Sequence, residues 1–232
     1  MPFANHLSLN KNYNVILASR SPRRQFLLKE TGIAFGVRVR ETDEKFPQEL
    51  KAEEIPLFLS RKKAEAFRGE LKDGELVIAA DTIVWMRGQA LNKPADRADA
   101  LRMLRMLSGT MHEVYTGVCL MSREKTRSFY ACSRVFFNPM SDKELAHYVD
   151  TCRPYDKAGA YGAQECLPAG MNPCSGEKND FVRKIGKPDL YKKKVTGSQA
   201  GCGCACVARI EGSYFNVMGL PLCELYRELR EF

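Results

Sequence analysis

The chain is short of histidine: of its 232 residues only His6, His112 and His147 are histidines, and they are scattered, which argues against a histidine-based metal site. It has no Gly-x-x-x-x-Gly-Lys-Ser/Thr loop, so it is not a P-loop NTPase. Gly201-x-Gly203 lacks a third glycine and follows no clear strand, which removes a dinucleotide fingerprint. His-Glu-x-x-His and Gly-x-Ser-x-Gly are missing too. No apolar run approaches the roughly 18 residues of a membrane helix. Residues 1–14 are polar without an apolar h-region, so no secretory signal is expected. The nine cysteines are odd in number and scattered, which reads as reduced thiols in the cytoplasm, not a disulfide framework.

What is present suits one globular domain. Hydrophobic residues make up 44% and charged residues 28%. Half of the net charge of +8 comes from residues 165–209, which carry eight Lys/Arg against four acids. A nucleic-acid footprint gathers on one face of a fold. Here the excess lies in the least fold-like stretch, so a nucleic-acid partner is not expected, and neither is a membrane. Pro168, Pro173 and Pro188 with six glycines break any long element there, and residues 165–207 read as a surface insertion. Cys202-Gly203-Cys204-Ala205-Cys206 departs from the Cys-x₂₋₄-Cys spacing of structural zinc, which disfavours a metal loop. Residues 1–12 read as a flexible tail.

Val15-Ile16-Leu17-Ala18 has the length of a buried strand, and Ser19-Arg20-Ser21-Pro22-Arg23-Arg24 follows it directly. Ser21 suits an N-cap, Pro22 the first helical position and Gly32 the helix end. A helix start offers unpaired N–H groups and a positive dipole end, so two serines and two arginines there point to phosphate. A further helix is expected over 54–67, with Ile55, Phe58, Leu59 and Ala66 on its apolar stripe. Lys62 and Lys63 lie on or beside that stripe, where a lysine either snorkels to solvent or enters a charged site. Asp81-Thr82 interrupts the apolar stretch Leu76 to Trp85. A carboxylate in such a strand is costly unless paired, hydrogen-bonded or metal-bound, which marks Asp81 as functional, with Asp43 and Glu44 as candidate company. Asn92-Lys93-Pro94 is a turn. A helix over 98–107, with Ala98, Leu101, Leu104 and Leu107 on one side, and paired strands over 114–121 and 128–137 follow. After a helix at 142–149, the segment from Tyr155 to Gln164 is a loop rich in small residues, and Glu211 to Met218 is expected as the last strand, ahead of a closing helix.

Leu17 to Arg24, Ala80 to Val84, Asp156 to Gln164, and Gly212-Ser213-Tyr214 through Gly219-Leu220-Pro221 occur together and in order. So do Asn92-Lys93-Pro94 and Leu107-Ser108-Gly109. This ordered set resembles the Maf family of nucleotide pyrophosphatases. The resemblance implies an α/β fold of the inosine-triphosphatase type, a long curved mixed sheet with two lobes around a cleft. It implies hydrolysis of a nucleoside triphosphate to the monophosphate and pyrophosphate with a divalent metal, Mg²⁺ or Mn²⁺. By matching position, Asp81 is the general base and, with Glu44, a metal ligand. Ser19, Ser21, Arg23, Lys63 and Lys93 would hold phosphates. Arg24, Thr82 and Gln164 match positions linked to substrate choice, in the branch acting on dTTP and UTP. A homodimer is plausible by the same resemblance. A catalytically weak relative, acting through partners or nucleic acid by way of the basic insertion, stays open as the alternative.

Overall fold

The structure, a computed structural model, describes residues 13–166 and 206–232. The tail expected over 1–12 and most of the insertion expected over 165–207 lie outside the described residues. So do Cys202 and Cys204.

The described elements are β1 (Asn14–Leu17), α1 (Pro22–Glu30), β2 (Phe35–Val37), α2 (Glu54–Glu65), β3 (Glu75–Met86) and β4 (Gln89–Leu91). They continue with α3 (Arg97–Leu107), β5 (Met111–Met121), β6 (Thr126–Phe137), α4 (Asp142–Cys152), β7 (Val207–Glu211), α5 (Tyr214–Met218) and α6 (Leu222–Arg230). The strands form an open mixed sheet in the order β2-β1-β3-β5-β6-β7, with β4 paired to β3. β1 runs parallel to β2 and β3, while β3 and β5, and β6 and β7, are antiparallel. The expected α/β class is therefore present.

The chain divides into two compact units. The first takes Met1–Ala90, Glu113–Ser133 and Gly212–Phe232. Its centre is β3, in which every residue except Thr82 and Trp85 is buried. Side chains alternate across a strand. Val77 and Ala79 on one face join Ile16, Ala64, Phe67, Leu71, Cys119 and Met121 in a core cluster. α2 packs on this face and is held very close. A Cβ on Gly117 of β5 would stand 2.4 Å from the Pro56 carbonyl, so only glycine fits there. The buried seam of α2 consists of Ile55, Pro56, Leu59, Ser60 and Ala64. Phe58 and Ala66, expected on that stripe, are exposed instead: they project from the flank of the helix, and Phe67 past its end takes the buried position.

The second unit takes Leu91–His112 and Arg134–Glu211. In it α3 packs against α4 and buries Leu101, Leu104 and Leu107, while Ala98, placed on the same side by the sequence, is exposed in the first turn. Arg97 forms a bidentate ion pair with Asp150 at 2.7 and 2.8 Å. Ser141 and Glu144 close a capping box at the start of α4.

One expected element is wrong. Residues 212–218 are not a strand: β7 ends at Glu211, and Tyr214–Met218 is helical. Ser213 caps this helix by accepting from the Asn216 N–H at 3.3 Å. Gly219, at φ 109°, ends it in the left-handed conformation. The apolar spacing of a five-residue helix cannot be told from that of a short strand.

Candidate functional site

The site of the first unit starts where β1 stops. β1 accompanies β3 only as far as the Leu17–Ile78 pair, and the Ala18 N–H bonds the Ile78 carbonyl at 2.9 Å. Asp81 lies three residues further along β3. Crevices beyond the carboxyl ends of parallel strands are the common ligand sites of α/β sheets.

The serine turn leads from β1 into α1 as expected. Ser21 is the N-cap, accepting from the Arg24 N–H at 3.5 Å, and Pro22 opens the helix. Ser19 is buried and its hydroxyl oxygen accepts from the Ser21 N–H at 3.2 Å. The Ser19 carbonyl accepts from the Gln25 side chain at 3.3 Å. The first turn of α1 carries no acid to oppose an anion. Arg23 is close enough to Arg24 to lower its pKa by repulsion.

Asp81 and Thr82 are neighbours on β3 and face opposite sides of the sheet. On the side of α2, Lys63 pairs with Asp81 through Nζ and Oδ1, and reaches Glu44 Oε1 at 3.4 Å. Lys63 comes four residues after Leu59 on the buried seam, so its stem is packed and its charge enters the site. Asp81 and Lys63 are 11% and 17% exposed at the side chain and Glu44 52%, so the pair is sheltered and its second carboxylate is wet. Lys62, the other lysine of uncertain direction, turns outward to Asp43 at 2.5 Å. Asp43 is thus no companion of Asp81; the Lys62 ammonium and the Lys45 N–H hold its carboxyl below the usual range.

On the other side, Arg24 donates from Nε to the Gly219 carbonyl at 2.8 Å and from Nη2 to Thr82 Oγ1 at 3.0 Å. Burial lowers the Arg24 pKa, while the Asp81 and Glu44 carboxylates oppose that shift. A guanidinium stays charged under such shifts. Eight of the ten residues singled out from the sequence therefore gather in the first unit: Ser19, Ser21, Arg23, Arg24, Glu44, Lys63, Asp81 and Thr82.

Lys93 and Gln164 belong to the second unit. Lys93 is exposed in the turn after β4, whose Asn92 carbonyl accepts from the Gly159 N–H at 3.2 Å. Gln164 is buried in the short 3₁₀ turn Ala163–Cys166. Tyr148 steadies the adjoining backbone by accepting from the Gly162 N–H at 3.2 Å. The sequence did not single out Thr116 or Asn216, which back Arg24, and took Gly219 only as part of a turn; Asn216 was hidden by reading its segment as a strand.

Two carboxylates, with no histidine or thiolate beside them among the described residues, suit a hard divalent cation that keeps water and takes phosphate oxygens. Among the described residues no group of three or more His, Cys, Asp or Glu could hold a metal by itself. Also among them, no helix is long and apolar enough to cross a membrane.

A family model described as "Maf-like protein" matches residues 14–180 and 191–232. A dTTP/UTP pyrophosphatase of Bacteroides fragilis is 42% identical over 220 residues, covering 94% of this chain and 96% of that protein. One of Porphyromonas gingivalis is 40% identical, covering 96% of each, and one of Flavobacterium johnsoniae is 38% identical, covering 94% and 95%. The solved Ham1 protein of Staphylococcus aureus aligns at 14% identity and a TM-score of 0.37, over 53% of this chain and 71% of that one, a likeness too slight to carry weight.

Proposed function

The chain belongs to the Maf-like protein family, and on that premise we propose that it hydrolyses nucleoside triphosphates, dTTP and UTP foremost, to the monophosphate and pyrophosphate. The observation that carries this reading is the sheltered Asp81 carboxylate just past the serine turn, held by a lysine that also reaches Glu44.

Each residue has a task that its chemistry suits. A triphosphate carries several negative charges, and catalysis of its hydrolysis depends mostly on positioning and electrostatic stabilisation. The N–H groups opening α1, with the Ser19 and Ser21 hydroxyls and Arg23, receive phosphate oxygens. Asp81 accepts the proton of the water that attacks the α-phosphorus. Lys63 orients Asp81 in the resting enzyme and turns its ammonium to phosphate when substrate arrives. Asp81 and Glu44 would hold a divalent cation, Mg²⁺ or Mn²⁺ by the chemistry of their oxygen donors, which would neutralise phosphate charge. Arg24 and Thr82 select the substrate. Family resemblance adds Lys93 as a phosphate ligand and Gln164 as a reader of the pyrimidine imide edge, since its amide both donates and accepts. The expected cytoplasmic setting and homodimer are part of the same proposal.

Steady-state kinetics with dTTP, UTP, CTP, GTP and 7-methyl-GTP test the reading. The expected order places dTTP and UTP first in kcat/KM. In H₂¹⁸O the label enters the monophosphate. Preference for 7-methyl-GTP, or label in pyrophosphate, would overturn it.

A further inference from the structure

Both acceptors of the Arg24 guanidinium trace back to one buried residue. Thr82 Oγ1 is 2.9 Å from Thr116 Oγ1, directly across the β3–β5 ladder. Thr116 Oγ1 donates to the main-chain carbonyl of Asn216 at 3.0 Å. That carbonyl also accepts from the Gly219 N–H at 2.9 Å, and the Gly219 carbonyl is the acceptor of Arg24 Nε. The Asn216 side chain is in turn fixed to the sheet: its Nδ2 donates to the Val114 carbonyl and to Ser133 Oγ, both at 2.9 Å. Ser133 Oγ donates to the Ser213 carbonyl at 3.0 Å, which seats the start of α5.

The chain of bonds has a direction. A backbone carbonyl only accepts, so the single hydroxyl proton of Thr116 goes to Asn216. The Thr116 oxygen must then accept from Thr82. Thr82 has spent its one proton and accepts from Arg24. Toward anything bound beside it, Thr82 offers a lone pair only, and the N–H groups left to Arg24 are the donors.

We propose that Thr116 and Asn216 are positioning residues for substrate selection, holding the Arg24 guanidinium and fixing the donor–acceptor polarity of Thr82. The proposal rests on the reading above that Arg24 and Thr82 meet the substrate. A site whose polar groups are fixed in direction rejects a base that leaves them unpaired, so loosening the chain relaxes selection more than it slows chemistry.

Kinetics of the full chain with UTP and CTP, beside urea unfolding, test this in Thr116→Val, Thr116→Ser, Ser133→Ala and Arg24→Lys. Thr116→Val frees the Thr82 proton, yet leaves the Asn216 carbonyl its bond from Gly219, so the protein is expected to fold. The ratio of kcat/KM for UTP over CTP is expected to fall about tenfold, mainly through KM for UTP. Thr116→Ser, which keeps the hydroxyl, restores it to within about twofold. Arg24→Lys lowers the ratio as well. If Arg24→Lys shifts the ratio and a folded Thr116→Val does not, the positioning role is overturned. If Arg24→Lys leaves the ratio unchanged, the substrate role of Arg24 fails and the proposal falls with it. Loss of stability without a change in the ratio also overturns it. Should Thr116→Val not fold, Ser133→Ala decides: a ratio lowered about threefold supports the chain, and an unchanged one overturns it.

Discussion

Gly117 lies opposite Asp81 in the β3–β5 ladder and directly beneath the backbone of Pro56, whose carbonyl carbon and oxygen are both 2.4 Å from where a Cβ would be. The general base candidate and the contact that seats α2 thus share one rung of the sheet. Gly117→Ala must push α2 outward, and α2 carries Lys63. The expected cost is about 1–3 kcal/mol of stability, as for other overpacked cores. Urea unfolding measures it, and turnover on UTP is expected to fall with it because Lys63 leaves Asp81.

Asp81→Asn preserves shape and removes the proton acceptor. The expected loss in kcat is about 10²–10⁴-fold, in a protein that still folds but with a lowered thermal midpoint, because the sheltered Lys63 ammonium then keeps only Glu44 as its acid. A variant retaining near-full turnover would remove Asp81 from the mechanism. Lys63→Met leaves Asp81 without its cation, so both stability and turnover are expected to drop.

Chelation is expected to abolish turnover and added Mg²⁺ or Mn²⁺ to restore it. Glu44→Gln is expected to raise the Mg²⁺ concentration needed for half-maximal rate while the fold stays intact, since the Glu44 side chain is half exposed. Titrating the rate against Mg²⁺ in both proteins reads this. An unchanged requirement would take Glu44 out of metal binding.

His112, in the second unit, gives a pH dependence of stability. It is 1% exposed, packs edge-on against Phe137 and Tyr161, and its Nε2 lies 2.8 Å from the Tyr161 hydroxyl. Nδ1 has no hydrogen-bond partner among the described residues. Burial pushes the imidazole pKa down to about 3. The unfolded chain then binds a proton from about pH 6.5 downward that the folded one refuses. Stability is therefore complete above about pH 6.5 and is lost as the pH falls toward 3. Between pH 7 and pH 5 the loss from this residue is about 2 kcal/mol. Unfolding free energies at the two values, in the wild type and in His112→Phe, check it: the variant is expected to lose about that much less.

The local elements of the site were legible in the sequence. Ser21 and Pro22 dictate a helix start wherever the chain goes, because capping and a fixed φ act within a few residues. Asp81 stood out because a carboxylate in an apolar strand needs a partner. The partner itself was not legible. Lys62 and Lys63 are adjacent and alike in the sequence, and only the packing of α2 over Gly117 turns Lys63 inward to Asp81 and Lys62 outward to Asp43. The support of Arg24 lay further out of reach. Its bonds span 58 residues to Thr82 and 195 to Gly219, and nothing in local propensity encodes such separations. They exist because β3 and β5 are paired and α5 ends on a left-handed glycine beside them. Chemistry carried by a residue type within a few positions was determined by the sequence alone. Spacing left Lys62 and Lys63 equal and resemblance singled out Lys63 for phosphate, but its pairing with Asp81, and what holds the arginine, were decided by the packing of distant segments.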